Sequence, residues 1–312
     1  MRMQGTVPTG VKTAVTDTQQ PAESAATPSP LGLVRDQIEA RLAAAGIADA
    51  RIDAELLLGH VLDAGRGEIQ SAIILDRTLA PEDAETLEPL VARRVLREPL
   101  QHILGTAPFR SMELLVGPGV FVPRPETEQV VQYAIDALRI LPDAEPIAID
   151  LGTGSGAIAL AMATEVPNAR VFALEKIPAA HAWAARNFEK IGAENATLTL
   201  GDMAEAFTEL HGSVAVLISN PPYIPARAIP RDIEVREYDP PTALYGGEDG
   251  LDLVRTISRR GLDLVRPGGT LILEHGELQG EAIRAILAAD GWRAPATFPD
   301  FTLRDRVTTA VR

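Results

Sequence analysis

The sequence predicts an α/β fold in which a mostly parallel sheet follows a small helical domain. From residue 147 onward, short apolar runs alternate with helical patterns, which is typical of a parallel sheet with helices on both faces. Residues 31–105 instead carry apolar residues at helical spacing. We therefore expect a helical domain at 31–105, a β-hairpin linker at 106–123 and an α/β domain at 124–312.

The helical domain is predicted from three amphipathic segments. The first has apolar residues at helical spacing from Leu33 to Leu42, and Gly46 serves as its C-cap. A second helix opens at Asp53, and a third begins at Pro81, where proline at the first position is followed by acidic residues. Residues 1–30 are rich in Thr, Pro, Gln, Ser and Ala, so we expect a disordered tail.

A β-hairpin is predicted between the two domains. Two short apolar runs flank Gly117-Pro118-Gly119 within the stretch Phe109–Val122, and a Gly/Pro turn between apolar runs is a hairpin signal. The strands expected after it are Ile147–Leu151, Arg170–Leu174, Thr197–Leu200, Val214–Ser219 and Thr270–Leu273, with a final hairpin near Ala296 and Arg306–Val311. The expected helices are Glu128–Leu141, Ala157–Glu165, Ala179–Ile191, Leu251–Val265 and Gly280–Asp290.

Composition excludes several classes of function. The chain has no cysteine, which rules out disulfides, thiolate metal sites and a thiol nucleophile, and its five histidines are scattered. A formal net charge of −14 makes nucleic acid an unfavourable partner, because phosphate binding normally needs a basic surface. No signal peptide or membrane-length apolar run is visible, so we expect a cytoplasmic protein without membrane contact.

A glycine-rich loop follows the first predicted strand of the α/β domain. Its residues are Gly152, Thr153, Gly154, Ser155 and Gly156. Ligands of such sheets bind beyond the carboxyl ends of the strands, and glycine lets the backbone approach them closely. Glu175 ends the next strand, where an acid can accept hydrogen bonds from ribose hydroxyls. Both NAD and S-adenosylmethionine carry such a ribose, and a simple strand-to-helix turn is the structural alternative.

Asp150, immediately before the glycines, favours S-adenosylmethionine. A carboxylate there attracts the ammonium and sulfonium cations of that ligand and repels a pyrophosphate. The alternative is an acid that hydrogen-bonds loop backbone amides, and the two roles are compatible.

The motif Asn220-Pro221-Pro222-Tyr223 follows the apolar run Val214–Ser219 and indicates the reaction. The two prolines make a rigid turn without backbone donors, so the Asn220 oxygen and the Pro221 carbonyl can accept hydrogen bonds from an amide or amine nitrogen. Tyr223 offers a flat face to a planar group. The alternative to a substrate-binding motif is a proline-rich turn that has only a structural role. Methyl transfer to such a nitrogen needs positioning and electrostatics more than a strong base.

With these motifs in place, residues 33–311 resemble the bacterial peptide chain release factor N5-glutamine methyltransferases. The matching stretches are Arg51 with Asp53-Ala54-Glu55, Pro99–Gly105, Pro123–Glu128, Asp150–Gly156, Asn220–Pro225, Glu274-His275-Gly276 and Asp305-Arg306-Val307. The resemblance implies a helical domain that helps recognise the release factor. It also implies a Rossmann-like class I methyltransferase fold with seven strands. The implied substrate is the glutamine of the Gly-Gly-Gln loop in class I release factors.

The resemblance also implies roles for individual residues. Gly152–Gly156 would line the methionine part of S-adenosylmethionine, Glu175 would hold its ribose, and Asp202 with Met203 would lie near the adenine. Asn220–Tyr223 would hold the glutamine amide. Three positions depart from the family pattern: Glu175 is usually Asp, Met203 replaces an aromatic residue of some relatives, and Arg110 stands at a commonly aromatic position.

Three other functions remain compatible with parts of the sequence. A related class methylates a glutamine of a ribosomal protein and shares the catalytic core. Adenine N6-methyltransferases also use Asn-Pro-Pro-Tyr, although the acidic net charge and the missing basic recognition region argue against nucleic acid. A non-catalytic adaptor is disfavoured, because the glycine loop and Asn220 are both intact.

Overall fold

The computed structural model describes residues 28–312. Its helices are α1 (Leu31–Ala44), α2 (Ala50–Leu62), α3 (Arg66–Ile74), α4 (Pro81–Val95), α5 (Leu100–Leu104), α6 (Pro125–Arg139), α7 (Ala157–Glu165), α8 (Pro178–Ile191), α9 (Ile233–Tyr238), α10 (Asp252–Leu264) and α11 (Gly280–Asp290). Its strands are β1 (Ser29–Pro30), β2 (Thr78–Leu79), β3 (Thr106–Phe109), β4 (Met112–Leu115), β5 (Ile147–Leu151), β6 (Arg170–Glu175), β7 (Ala196–Leu200), β8 (Val214–Ser219), β9 (Val265–Glu274), β10 (Arg293–Pro299) and β11 (Asp305–Val311).

Helices α1 to α5 pack around a hydrophobic core of their own. Leu42, Leu57 and Leu58 are fully buried in it. At the start of this region, Ser29 and Pro30 pair with β2 in a short antiparallel sheet. The predicted tail, residues 1–30, is therefore too long at its carboxyl end, and its residues 1–27 lie outside the described part of the chain.

A β-hairpin follows, but the prediction that it turns at Gly117–Gly119 is wrong. Strand β3 pairs with β4, and the chain reverses at Arg110, whose φ of 54° is in the left-handed region. The Arg110 guanidinium donates to the Glu165 carboxylate at 2.8 Å, which ties the turn to α7. Gly117 instead packs on Trp183, since a Cβ there would lie 2.5 Å from the indole ring.

A seven-stranded sheet forms the centre of the remaining chain, in the order β10-β11-β9-β8-β5-β6-β7. Strand β11 is antiparallel to both of its neighbours, and every other adjacent pair is parallel. The mostly parallel seven-stranded α/β fold is therefore confirmed. Strand β9 begins at Val265, earlier than predicted, and its pairing with β8 is irregular near that end.

Hydrophobic clusters cover both faces of this sheet. Ala148 and Val171 pack with α6 and α7 on one face, whereas Ile149 and Leu151 pack with α10 and α11 on the other. Successive strand residues point to opposite faces, so one apolar run supplies both clusters. Such continuous burial explains why the predicted bounds of β5 and β8 agree with the structure residue for residue.

Within residues 28–312, no helix combines the length and the apolar character that crossing a membrane requires. The same part of the chain contains no group of three or more His, Asp or Glu side chains arranged to hold a metal ion.

Candidate active site

A cavity of about 810 Å³ opens at the carboxyl ends of five neighbouring strands. Glu175, Asn220 and Glu274, which end or follow β6, β8 and β9, lie on its wall. Loops after β5 and β7 form further parts of the wall. The strand order reverses between β5 and β8, and open α/β sheets bind ligands at such a switch point. The fold thus concentrates the candidate residues where a ligand is expected.

The loop between β5 and α7 forms one side of the cavity. Gly152, Gly154 and Gly156 have φ values of 76°, 58° and 88°, a region that favours glycine. A Cβ on Gly152 or Gly154 would meet open space, whereas one on Gly156 would lie 3.0 Å from the Phe188 ring. The first two glycines therefore leave room for a ligand, and the third permits close packing against α8.

Asp150 lies behind this loop and does not line the cavity. Its side chain is fully buried, and Oδ2 accepts a hydrogen bond from the Thr153 hydroxyl at 2.6 Å. Burial raises the pKa of Asp150 to about 7, against the opposing effects of the Thr153 hydroxyl and the Ala159 backbone N–H. These contacts anchor the loop. A direct part for Asp150 in binding a cation stays a prediction.

Glu175 lies on the cavity wall, and both of its carboxylate oxygens already accept hydrogen bonds. Oε2 accepts from the Gly154 backbone N–H at 2.9 Å, and Oε1 accepts from that of Ile177 at 2.8 Å. Each carboxylate oxygen has two acceptor positions, so a ribose hydroxyl can still bind. The carboxylate therefore ties the glycine loop to β6 and remains able to receive a ligand.

The wall beyond Glu175 is mostly apolar. Leu174, Ile177 and Met203 line this part, which suits a flat heteroaromatic ring. Asp202 stands beside Met203 and forms an ion pair with the Lys176 ammonium at 2.8 Å, where both side chains are well exposed. The polar pair marks the edge of the apolar surface.

Asn220, Pro222 and Tyr223 form another part of the wall, directly after the buried strand β8. The backbone of the motif is tightly packed: a Cβ on Gly246 would lie 2.2 Å from the Pro222 carbonyl oxygen. The Gln279 side-chain amide donates to the Tyr223 carbonyl at 2.9 Å. The turn is therefore held from two sides, and its side chains are presented from a rigid backbone.

Most of the predicted site residues meet in this cavity. Those on its wall are Gly152, Thr153, Gly154, Ser155, Glu175, Asp202, Met203, Asn220, Pro222 and Tyr223. Asp150, Gly156 and Pro221 do not line it. The sequence indicated no role for five further lining residues, Arg124, Glu126, Thr127, Glu274 and Arg306, although all five belong to stretches that match the family pattern.

Glu274 is the most deeply placed of these additional residues, with a relative exposure of 3%. Burial raises its pKa to about 7, while the hydrogen-bonding groups of Thr127 and Asn220 and the charge of Arg306 act to lower it. Burial also raises the pKa of Tyr223 to about 12, and the neighbouring Glu274 adds to this shift. A low-dielectric polar cluster therefore lies at the base of the motif.

The segment between Tyr223 and α10 contacts the helical region. The Arg94 guanidinium, 5% exposed, donates to Asp53 at 2.7 Å and to Glu234 of α9 at 2.8 Å. Burial raises the pKa of Asp53, and its bond to Arg94 opposes this. The Tyr238 hydroxyl of the same segment donates to a carbonyl of the helical region at 2.9 Å. This segment also lines the cavity, so the helical region contacts the site through it.

Comparison with known proteins agrees with this geometry. Residues 34–105 match the PrmC N-terminal domain and residues 126–235 match the methyltransferase small domain. The chain is 47% identical over 279 residues to a release factor glutamine methyltransferase of Streptomyces coelicolor, a match that covers 88% of this chain and 95% of that protein. The chain belongs to the release factor glutamine methyltransferase family. The resemblance noted in the sequence motifs is thereby confirmed.

Two further relatives show the range of substrates around this family. A release factor glutamine methyltransferase of Bifidobacterium longum is 40% identical, with 88% of this chain and 97% of that protein covered. A 4-amino-L-phenylalanine/4-methylamino-L-phenylalanine methyltransferase of Streptomyces pristinaespiralis is 39% identical, with 93% and 97% covered. Relatives of nearly equal identity to this chain are thus named for two different methyl acceptors, a glutamine of a release factor and 4-amino-L-phenylalanine or its methylamino derivative.

Proposed function

We propose that this protein transfers a methyl group from S-adenosylmethionine to the side-chain amide nitrogen of the glutamine in the Gly-Gly-Gln loop of a class I release factor. The observation that carries the proposal is the meeting of the glycine loop and the Asn220–Tyr223 motif in one cavity. Membership of the release factor glutamine methyltransferase family supports the choice of substrate.

The cavity fits the proposed methyl donor. Its volume of about 810 Å³ is within the range of small-molecule sites. Gly152 and Gly154 leave open space where a side chain would otherwise project, Glu175 can accept from ribose hydroxyls, and Met203 lies in the apolar part suited to adenine. When bound, S-adenosylmethionine supplies a methyl group on a positively charged sulfur.

The protein's own contribution is to hold the accepting nitrogen. The Asn220 amide oxygen and the backbone of the motif can accept the N–H groups of a glutamine amide, which orients its nitrogen. Tyr223 is largely buried, and burial raises its pKa to about 12, so it is a neutral flat surface at physiological pH. The nitrogen gains one methyl group and loses one proton, and this proton can pass to water. No strong base is required.

The helical region, residues 31–105, is proposed as the unit that recognises the release factor, with the hairpin at 106–123 as linker and residues 124–312 as the catalytic domain. The contact of Arg94 with Glu234 supports the role proposed for the helical region, because this contact joins that region to a segment of the cavity wall.

The test is to incubate the purified protein with S-adenosylmethionine and a release factor, and then to measure the mass of the Gly-Gly-Gln peptide. The expected result is one added methyl group on the glutamine, which disappears when the target glutamine is replaced by Glu and falls sharply with Asn220→Ala. The control variant Ser258→Ala removes a buried hydroxyl that donates to Asp290 and does not line the cavity, and it should retain the activity.

Parallel reactions separate the alternatives. 4-Amino-L-phenylalanine is included because a relative of 39% identity is named for that acceptor, and a ribosomal protein fraction is included for the related glutamine methylation. Methylation of either one, with the release factor unmodified, would refute the proposed substrate and retain the methyl-transfer chemistry.

A further inference from the structure

Three polar side chains from distant parts of the chain meet beside the Asn220–Tyr223 motif. Asn220 follows β8, and Glu274 ends the adjacent strand β9, where Ser219 and Leu273 are register partners. Thr127 comes from the first turn of α6 and is 4% exposed. The Asn220 amide nitrogen lies 3.4 Å from the Thr127 hydroxyl oxygen. The three side chains also line the cavity.

The hydrogen-bonding capacity of this cluster determines how the Asn220 amide is oriented. A carboxylate only accepts hydrogen bonds, a hydroxyl donates one and accepts others, and an amide has one accepting and one donating end. The hydrogen-bonding groups of Thr127 and Asn220 both act on Glu274. The Thr127 hydroxyl accepts from the Asn220 NH₂ group and so keeps its own proton free to donate, and the Glu274 carboxyl is the acceptor whose pKa it lowers. The Asn220 oxygen must then point away from the cluster.

We infer that Thr127 and Glu274 are positioning residues that hold the Asn220 amide with its oxygen toward the accepting nitrogen of the substrate. This inference rests on the proposed function, because it explains how Asn220 comes to offer an acceptor to an amide. Without the cluster, an asparagine amide can rotate and present its NH₂ group, which would repel the N–H groups of a glutamine amide.

The surroundings of Glu274 support this arrangement. One carboxyl oxygen, Oε2, is buried without a hydrogen-bond partner among residues 28–312. The charged groups that act on the carboxyl are Arg306 of β11 and Glu126 of α6, and Tyr223 is a further titratable neighbour. A buried carboxyl with an unused acceptor position favours nearby N–H and O–H donors, because a buried acceptor without a hydrogen bond is destabilising.

The test uses two variants that alter the cluster and one matched control. Thr127→Val removes the linking hydroxyl with little change in volume, and Glu274→Gln replaces the pure acceptor with a group that also donates. Thr308→Val is the control: its hydroxyl is fully buried on β11 and contacts His275 and Thr297, outside the cavity wall. Each change is made alone and together with Asn220→Ala.

The expected result is a loss of about tenfold or more in kcat for each cluster variant, with nearly unchanged affinity for S-adenosylmethionine. In the Asn220→Ala background the same changes should have no further effect, because the residue through which they act is absent. Thr308→Val should keep its kcat. Unchanged kcat in both cluster variants, or losses that multiply with that of Asn220→Ala, would overturn the inference.

A measurement without turnover separates this inference from the proposed substrate. The side-chain amide protons of Asn220, assigned by their disappearance in Asn220→Ala, should exchange slowly with solvent and should shift in Thr127→Val but not in Thr308→Val. An Asn220 signal that exchanges freely, or that ignores Thr127→Val, contradicts the inference even if the release factor is methylated. A wild-type protein that leaves the release factor unmethylated, with a protected Asn220 amide, contradicts only the substrate.

Discussion

Asp150→Asn is expected to flatten the dependence of folding stability on pH. Burial raises the pKa of Asp150 from 3.8 to about 7, so between these values the folded protein holds a proton that the unfolded chain has released. The stabilisation is fully present below pH 3.8 and is lost as the pH rises through about 7. Each pKa unit corresponds to about 1.4 kcal/mol. From pH 5 to pH 8 the wild type should therefore lose about 2–3 kcal/mol through this one group.

The assay is urea denaturation at pH 5, 6, 7 and 8, with the free energy of unfolding extrapolated to water at each pH. Between pH 5 and pH 7 the free energy of unfolding should fall more steeply with pH for the wild type than for Asp150→Asn, and the two slopes should approach each other again near pH 8. Glu274→Gln gives an independent comparison, because burial also raises the pKa of Glu274 to about 7. Parallel curves for the wild type and Asp150→Asn would refute the reasoning, since Asp150 would then be ionised in the folded protein.

The same comparison decides how Asp150 acts on the methyl donor. A protonated Asp150 behind the glycine loop contributes a hydrogen bond to Thr153 and no net charge. If it nevertheless acts as the counter-ion of a bound cation, Asp150→Asn should weaken S-adenosylmethionine more than a neutral analogue that lacks the sulfonium charge. Equal weakening of both ligands would leave Asp150 with the loop-anchoring role alone.

Three other substitutions test the site and its support. Asn220→Ala should lower kcat by about 10²–10³, because a preorganised polar contact is lost. Calorimetry should show nearly normal binding of S-adenosylmethionine, and an unchanged kcat would remove Asn220 from the mechanism. Gly246→Ala should reduce both kcat and melting temperature, since its Cβ would lie 2.2 Å from the Pro222 carbonyl oxygen. A kcat and a melting temperature equal to those of the wild type would show that the turn can shift freely. Arg94→Ala should cost about 3–5 kcal/mol in urea denaturation, because it leaves the buried Asp53 carboxylate unpaired, whereas Glu234 keeps its contact with Arg97. Arg41→Ala, from a pair whose members are 42% and 60% exposed, should cost less than about 1 kcal/mol, and equal costs would contradict the burial argument.

The sheet was largely predictable from the sequence because its signal is local. The runs that became β5 and β8 are continuously apolar and end at a glycine loop or at Asn220, so their limits are visible without any tertiary information. The hairpin was misplaced for the opposite reason. Gly117-Pro118-Gly119 looks like a turn, but its glycine serves close packing against Trp183. That contact depends on α8, which lies far away in the sequence.

The site was predictable only where a motif carries its chemistry by itself. The glycine loop and Asn220–Tyr223 could be assigned because their residue types restrict the backbone or offer a defined set of acceptors. Thr127 and Glu274 could not, since a threonine in a helix and an acid at a strand end are common. Their importance depends on the adjacency of β8 and β9 and on the position of α6. The only sequence signal for Thr127 and Glu274 was that both lie in stretches that match the family pattern, and this match did not specify what either residue does.

The placement of acids around the cavity suggests how charge is distributed for the reaction. Methyl transfer moves positive charge from a concentrated sulfonium toward a neutral nitrogen, so charge is more dispersed at the transition state than in the bound donor. A carboxylate directly beside the sulfur would therefore stabilise the ground state more than the transition state. Asp150 and Glu274 are buried with pKa values of about 7, whereas Asp202 is exposed at the rim beside Lys176. Negative charge is thus tolerated at the edge of the cavity and is costly at its base, so a Glu274 carboxylate there depends on the hydrogen-bonding groups of Thr127 and Asn220 and on the charge of Arg306.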